Sequence, residues 1–174
     1  MEKIIIYDFG ANRGQNLKYF LSKSEIVIAV EPIPELCEEI EKNFDREIKE
    51  GKLFVENLAI VDNENISFID FYKNKKSWLS SLKNDHALNT EKIKVKSSTP
   101  TALFEKYGPP FYVKLDIENY DLNILKFLKE KNINPKFLSF EVQNQETFNY
   151  FKNNFSYKHF NFVLGNRLLE DYDQ

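Results

Sequence analysis

Five short apolar runs, each leading to a carboxylate or an amide, set the strongest limit on how this chain can fold. They are Ile4-Ile5-Ile6-Tyr7 before Asp8, Ile26-Val27-Ile28-Ala29-Val30 before Glu31, Leu53-Phe54-Val55 running into Asn57, Phe111-Tyr112-Val113-Lys114-Leu115 before Asp116, and Phe137-Leu138-Ser139-Phe140 before Glu141. Runs this short, with this many β-branched and aromatic residues, read as strands buried on both faces. Helical patterns separate them. Gln15 to Ser22 puts Leu17, Phe20 and Leu21 on one side. Pro34 opens a helix where its missing N–H does no harm. Leu36, Ile40, Phe44 and Ile48 then predict one apolar stripe, with Gly51 past its end. Further helices are expected over Thr101 to Tyr107, around Leu122, Leu125 and Leu128, and with Phe148 and Phe151. Between Asn57 and Ser98 the pattern is less regular. Strands at Ile66 to Tyr72 and Ile93 to Lys96 flank a polar loop around Trp78. Strands alternating with helices require right-handed crossovers and a mostly parallel sheet. The expected fold is α/β and doubly wound, with helices on both faces. An antiparallel closing strand is expected over His159 to Leu164, with a turn at Gly165-Asn166. No linker or repeat interrupts the 174 residues, so residues 1–174 read as a single domain.

Composition removes several function classes. At 42% hydrophobic and 29% charged, the chain is not of the disordered type. Its net charge of -3 disfavours nucleic acid as the default partner. The single cysteine, Cys37, excludes an intramolecular disulfide and a cysteine-cluster metal site, and reads as a small buried hydrophobe. No apolar run approaches a membrane span, and Met1 to Ile6 is too short and too quickly polar for a signal peptide. The expectation is a soluble, cytoplasmic protein with no membrane partner.

The strand ends carry the chemistry. In doubly wound sheets ligands bind outside the carboxyl ends of the strands. Helix capping explains one or two of the five polar ends, not the set. Carboxylates gathered at one edge repel one another unless something cationic or donor-rich sits there. Asp8-Phe9-Gly10-Ala11-Asn12-Arg13-Gly14 is the sharpest local pattern, since Gly10 and Gly14 allow a tight turn and close backbone approach. It is not a dinucleotide fingerprint, because Asn12 and Gln15 replace the second and third glycines. It is not a P-loop either, because no Gly-Lys-Ser or Gly-Lys-Thr follows. Glu31, about 20 residues after Gly10, is placed to accept hydrogen bonds from both hydroxyls of a ribose.

Asp8 to Gly14, then Glu31-Pro32, then Asn57-Leu58-Ala59, then Lys114-Leu115-Asp116-Ile117-Glu118 together resemble the FkbM-type methyltransferases, S-adenosylmethionine-dependent enzymes of the Rossmann-like class I fold. Order and spacing match from Ile4 to about Val142, and Ser80-Ser81-Leu82 and Thr99 to Tyr107 also look like the family. The resemblance implies that Asp8, Gly10, Asn12 and Gly14 shape the pocket for the methionine moiety. Glu31 would hold the ribose, with Pro32 beside it in the cofactor site. Asn57 and Ala59 would lie beside the adenine, and Asp116 and Glu118 would face the methyl acceptor. It also implies O-methylation of a sugar or other small metabolite, with Asp116 as first choice of base. A pocket rich in carboxylates suits a cationic sulfonium. The family's usual glycine after the glutamate is Asn119 here, a residue that tolerates a left-handed backbone. Many relatives carry segments before the first strand that cover the acceptor. Here the chain starts almost at that strand, which predicts a minimal enzyme or one completed by self-association as a homo-oligomer.

Other signals stay open beside this one. A binding module that holds S-adenosylmethionine or its demethylated product without turnover is the alternative, and a nicotinamide enzyme the weakest reading. Pro109-Pro110-Phe111-Tyr112 resembles the Pro-Pro-Tyr motif of nucleic-acid adenine methyltransferases, but it precedes its strand instead of following it. Lys73, Lys75, Lys76, Lys83, Lys92, Lys94 and Lys96 read as a solvated face, with an anionic acceptor surface as the competing reading. His86 and His159 have no partner at zinc spacing. Asp116, Glu118 and Glu141 offer oxygen ligands for magnesium, although a divalent metal is not the favoured cofactor because an ordinary base would serve.

Overall fold

The computed structural model describes residues 3–74, 82 and 90–163. Trp78, Ser80, Ser81, Lys75, Lys76, Lys83, His86, Leu164, Gly165 and Asn166 lie outside the described residues.

The five apolar runs form one parallel sheet. β1 (Ile5–Phe9), β2 (Ile26–Val30), β3 (Leu53–Glu56), β7 (Tyr112–Leu115) and β8 (Phe137–Phe140) stand in the order β3-β2-β1-β7-β8. The remaining strands, β4 (Ala59–Ile60), β5 (Phe68–Asn74) and β6 (Thr90–Ser98), make a small mixed sheet in the order β4-β6-β5. Helices cover both faces of the large sheet. Ile6, Val27, Ala29 and Leu53 pack against Leu17 and Phe20 of α1 (Leu17–Leu21), Ile40 of α2 (Pro34–Asn43) and Ile48 of α3 (Asp45–Lys49). On the other face, Tyr7, Phe9, Val30 and Leu115 meet α4 (Pro100–Tyr107), α5 (Asp121–Glu130) and α6 (Gln145–Asn154). Alternation along each strand puts successive side chains on opposite faces, so both core layers are encoded in the same five runs.

Several expected boundaries move. The stripe through Leu36, Ile40, Phe44 and Ile48 is two helices, not one. Phe44 leaves helical geometry (φ -123, ψ 26), flanked by Asn43 and Asp45, both weak helix formers. Its ring still packs with Ile40 and Ile48, so the stripe survives the break. The first helix is shorter than expected because the turn after β1 runs on through Gln15 and Asn16. The closing strand is not formed over residues 159–163. Phe162 packs its ring on Phe148 of α6 at 5.4 Å.

The connections fix where a ligand can sit. From β1 the chain winds outward to β2 and β3, and the other half of the sheet begins at β7, beside β1. The switch in winding therefore falls between β1 and β7, the place where a doubly wound sheet takes its ligand.

Candidate active site

Register places the first functional pair. β1 and β7 are parallel, with Asp8 opposite Lys114. Neighbours in register project from the same face, so a carboxylate and an ammonium meet inside the sheet. Lys114 Nζ lies 2.9 Å from Asp8 Oδ1, 3.3 Å from the Gly10 carbonyl and 3.3 Å from Asp116 Oδ2. Three acceptors match the three protons of the ammonium. Asp8 is fully buried, and burial raises its pKa while Lys114 counters that rise. Burial also works against the charge on Lys114, but Asp8 and Asp116 outweigh it and hold the ammonium above the ordinary lysine range. The donor that the carboxylate edge requires is thus partly built in, from a lysine inside an otherwise apolar strand.

The turn after β1 is forced by close approach. Gly10 sits at φ 85, and a Cβ there would lie 1.9 Å from the Asp116 carbonyl oxygen. Gly10 thus lets the exits of β1 and β7 touch. Gly10→Ala should lower unfolding stability by about 3 kcal/mol or more, combining left-handed strain with overpacking. Urea denaturation measures this, and a wild-type midpoint would refute the packing role.

Glu31, at the end of β2, is 5% exposed. Its Oε2 accepts from the Asn12 backbone N–H and its Oε1 from that of Ile33, each at 2.9 Å. Asn12 can present its N–H there because it takes a left-handed backbone, φ 50. Burial pushes the Glu31 pKa up to about 7 against these two donors, with Asp8 adding to the rise and Lys114 opposing it.

On the β7 side the chain turns through Glu118 (φ 38) and Asn119 (φ 61), so the asparagine does adopt the left-handed turn in place of glycine. Burial, then Glu141, Asp116 and Asp121, push Glu118 up to about 7. Asp121, in the first turn of α5, is 1% exposed, and the backbone N–H groups of Asp121 itself and of Ile117 approach its carboxylate and favour its charge. Burial raises its pKa to about 7 as well.

A cleft open to solvent joins these two halves at the switch point. Gly10, Asn12, Glu31 and Pro32 line one side and Asp116, Ile117 and Glu118 another. Leu58, Ala59 and Ile60 form an apolar wall, completed by Phe71 and Leu82 from the small sheet and its neighbouring segment. Of the residues singled out in the sequence, Gly10, Asn12, Glu31, Pro32, Ala59, Asp116 and Glu118 therefore share one cleft. Three do not line it. Asp8 lies behind it in the pair with Lys114. Gly14 packs where a Cβ would press on Leu17 and Ile40. Asn57 turns its amide to the Glu31 carbonyl (3.0 Å), the Pro32 carbonyl and Cys37 Sγ, so it braces the Glu31 loop from outside. Lys114, Asp121 and Phe71 are the residues that sequence reasoning missed.

Some of the competing signals fall on described residues. Pro109 and Pro110 lie at the amino end of β7, away from the cleft. Among the described lysines, Lys73 pairs with Glu35 at 2.5 Å and Lys92 with Asp70 at 2.7 Å. No described helix is long and apolar enough to cross a membrane.

The family model of the methyltransferase FkbM domain matches residues 8–168. Among solved structures, methyltransferase FkbM from Methylobacillus flagellatus KT is 15% identical with a TM-score of 0.49; the likeness covers 74% of this chain and 29% of that one. This chain therefore spans less than a third of that relative. No curated protein matches the sequence.

Proposed function

Since the chain belongs to the FkbM methyltransferase family, we propose that it moves a methyl group from S-adenosylmethionine to a hydroxyl of a sugar or other small metabolite. The observation that carries this is the buried Glu31 carboxylate, held by two backbone donors on the wall of the switch-point cleft. A carboxylate has about four acceptor sites, so two remain for ribose hydroxyls. The apolar wall of Leu58, Ala59, Ile60 and Phe71 suits an adenine face. Asp116 and Glu118, on the far side, suit a cationic centre. The residues fit the cofactor. When bound, it supplies an electrophilic methyl group on a positively charged sulfur.

Glu31 would fix the ribose and so the direction of the sulfur–methyl axis, since in-line displacement draws much of its rate from positioning. Asp116, or Glu118 beside it, would take the hydroxyl proton as the oxygen–methyl bond forms. The electron pair of the broken carbon–sulfur bond stays with sulfur. A small or glycan acceptor agrees better than nucleic acid with the chain's net charge of -3.

Calorimetry with S-adenosylhomocysteine tests the reading. Glu31→Gln should weaken binding about 10-fold or more, the worth of a charge-assisted hydrogen bond. Wild-type affinity should rise about tenfold from pH 6 to pH 8, because ionised Glu31 is the acceptor and its pKa is about 7. The same raised pKa makes the ligand-free fold lose stability as pH climbs from the unfolded value, 4.5, towards 7. A flat affinity profile, or wild-type affinity in Glu31→Gln, removes Glu31 from the cofactor site.

A further inference from the structure

Asp62 joins the two halves of the cleft. It follows Val61, just past the apolar wall that Leu58, Ala59 and Ile60 present to the cleft. Its Oδ1 accepts from the Tyr120 hydroxyl at 2.6 Å and its Oδ2 from the Asn123 side-chain amide at 3.2 Å, both partly buried. Tyr120 and Asn123 open α5, directly after the turn that carries Asp116, Ile117 and Glu118 to the other side. Lys131, just past α5, adds a contact to Glu64 at 2.7 Å, but both of those side chains are exposed and such a pair contributes little.

The turn needs an anchor of this kind. Glu118 (φ 38) and Asn119 (φ 61) are consecutive non-glycine residues with left-handed backbone. Such backbone persists only where its surroundings over-determine it. On the β7 side, the Asp116 N–H donates to the Phe9 carbonyl at 3.0 Å. On the α5 side, the Tyr120 ring packs on the core and its hydroxyl reaches Asp62. Burial, then the bond to Asp62, hold that hydroxyl above the usual tyrosine range, so it stays a donor. The wall has supports of its own. β4 pairs with β6, and the Val61 N–H donates to the Ser98 carbonyl at 3.0 Å. Loss of the contact to Tyr120 therefore releases the turn and not the wall.

We propose that Asp62 and Tyr120 are positioning residues, a latch that fixes how far the Asp116–Glu118 turn stands from the apolar wall. On the methyl-transfer reading, on which this rests, the wall takes the adenine and the turn faces the cationic sulfur. The latch then sets the distance from sulfonium to carboxylates and leaves the ribose grip at Glu31 alone. It acts on the charged donor more than on its neutral product, S-adenosylhomocysteine. A shift of the turn by about 1 Å changes the attraction between two unit charges enough to alter affinity about threefold.

Tyr120→Phe keeps the ring and removes only the donor. In the ligand-free chain, amide hydrogen exchange at residues 117–120 should become about tenfold faster, the worth of a hydrogen bond to a charged group, and stay unchanged in β1 and β2. Calorimetry should find S-adenosylhomocysteine affinity within about twofold of wild type, and the ratio of S-adenosylmethionine to S-adenosylhomocysteine affinity moved about threefold. Asp62→Ala should behave alike, and Asp62→Asn, which keeps an acceptor for the hydroxyl, should recover most of the loss. A merely structural contact would lower both affinities together and leave their ratio unmoved. Wild-type exchange in Tyr120→Phe, or an unmoved ratio, overturns the latch. Wild type that binds both ligands beside an unaltered variant defeats the latch alone. Wild type that binds neither ligand defeats the methyltransferase reading and the latch with it.

Discussion

Lys114→Met should cost about 3–5 kcal/mol of unfolding stability at pH 8, the loss expected when one member of a buried ion pair is removed. Methionine fills the volume but leaves the Asp8 carboxylate fully buried without its ammonium partner and near the like charge of Asp116. For a chain of this length the deficit corresponds to a fall of about 10 °C in melting temperature. The pH dependence has a definite sign. Without Lys114 the folded-state pKa of Asp8 rises further above its unfolded value, 3.8, so the variant loses stability as pH rises above that value. The deficit should therefore shrink in acid, where Asp8 is protonated and needs no partner. Asp8→Asn in the Lys114→Met background should restore most of the loss, because it removes the orphaned charge and not merely the partner. Urea denaturation of the two singles and the double at pH 8 and pH 5 measures all three effects. A single variant as stable as wild type at pH 8 would falsify the structural role of the pair.

The same pair shows what could be read in the sequence and what could not. The five runs and their polar ends were legible because buried parallel strands leave little choice: apolar inside, polar at the exit. That was enough to place Glu31, Asp116 and Glu118 on one edge, and the structure brings all three into one cleft. The signal for Lys114 was present too, as a lone lysine between Val113 and Leu115 in a buried strand. What the sequence lacked was register, which alone sets Asp8 opposite Lys114 and turns a strand-end acid into an internal ion pair. Asn57 was misplaced for a related reason. Its position after β3 was right, but an amide can brace a neighbouring loop as readily as meet a ligand, and only the Glu31 and Pro32 carbonyls decide which. Phe71 depended on how the small sheet packs against the start of α2, where it clusters with Ile33 and Leu36 beside Ala59 of β4. No periodicity within β5 reports that. Asp121 looked like an ordinary acid in the first turn of a helix, where the helix dipole favours one. Its burial comes from packing and not from its neighbours in sequence.

Asp116→Asn should reduce turnover by about 10²–10⁴-fold while leaving cofactor affinity close to wild type. The separation follows from where the two functions sit. The cofactor grip is on the β2 side, at Glu31 and the Asn12 N–H, whereas Asp116 leaves β7 across the cleft. Asparagine keeps the shape of the side chain and can still accept from Lys114, and the backbone bond from the Asp116 N–H to the Phe9 carbonyl (3.0 Å) is untouched. The side chain is 48% exposed, so folding stability should move by no more than about 0.5 kcal/mol. What asparagine cannot do is take a proton from a hydroxyl or bring a full negative charge to the acceptor. Single-turnover rates with a responsive hydroxyl acceptor, set beside S-adenosylhomocysteine calorimetry on the same protein, separate the steps. If rate and affinity fall together, Asp116 acts by shaping the cofactor pocket through its contact with Gly10. If neither falls, proton transfer passes to Glu118, whose pKa of about 7 then fixes the acid limb of the rate profile.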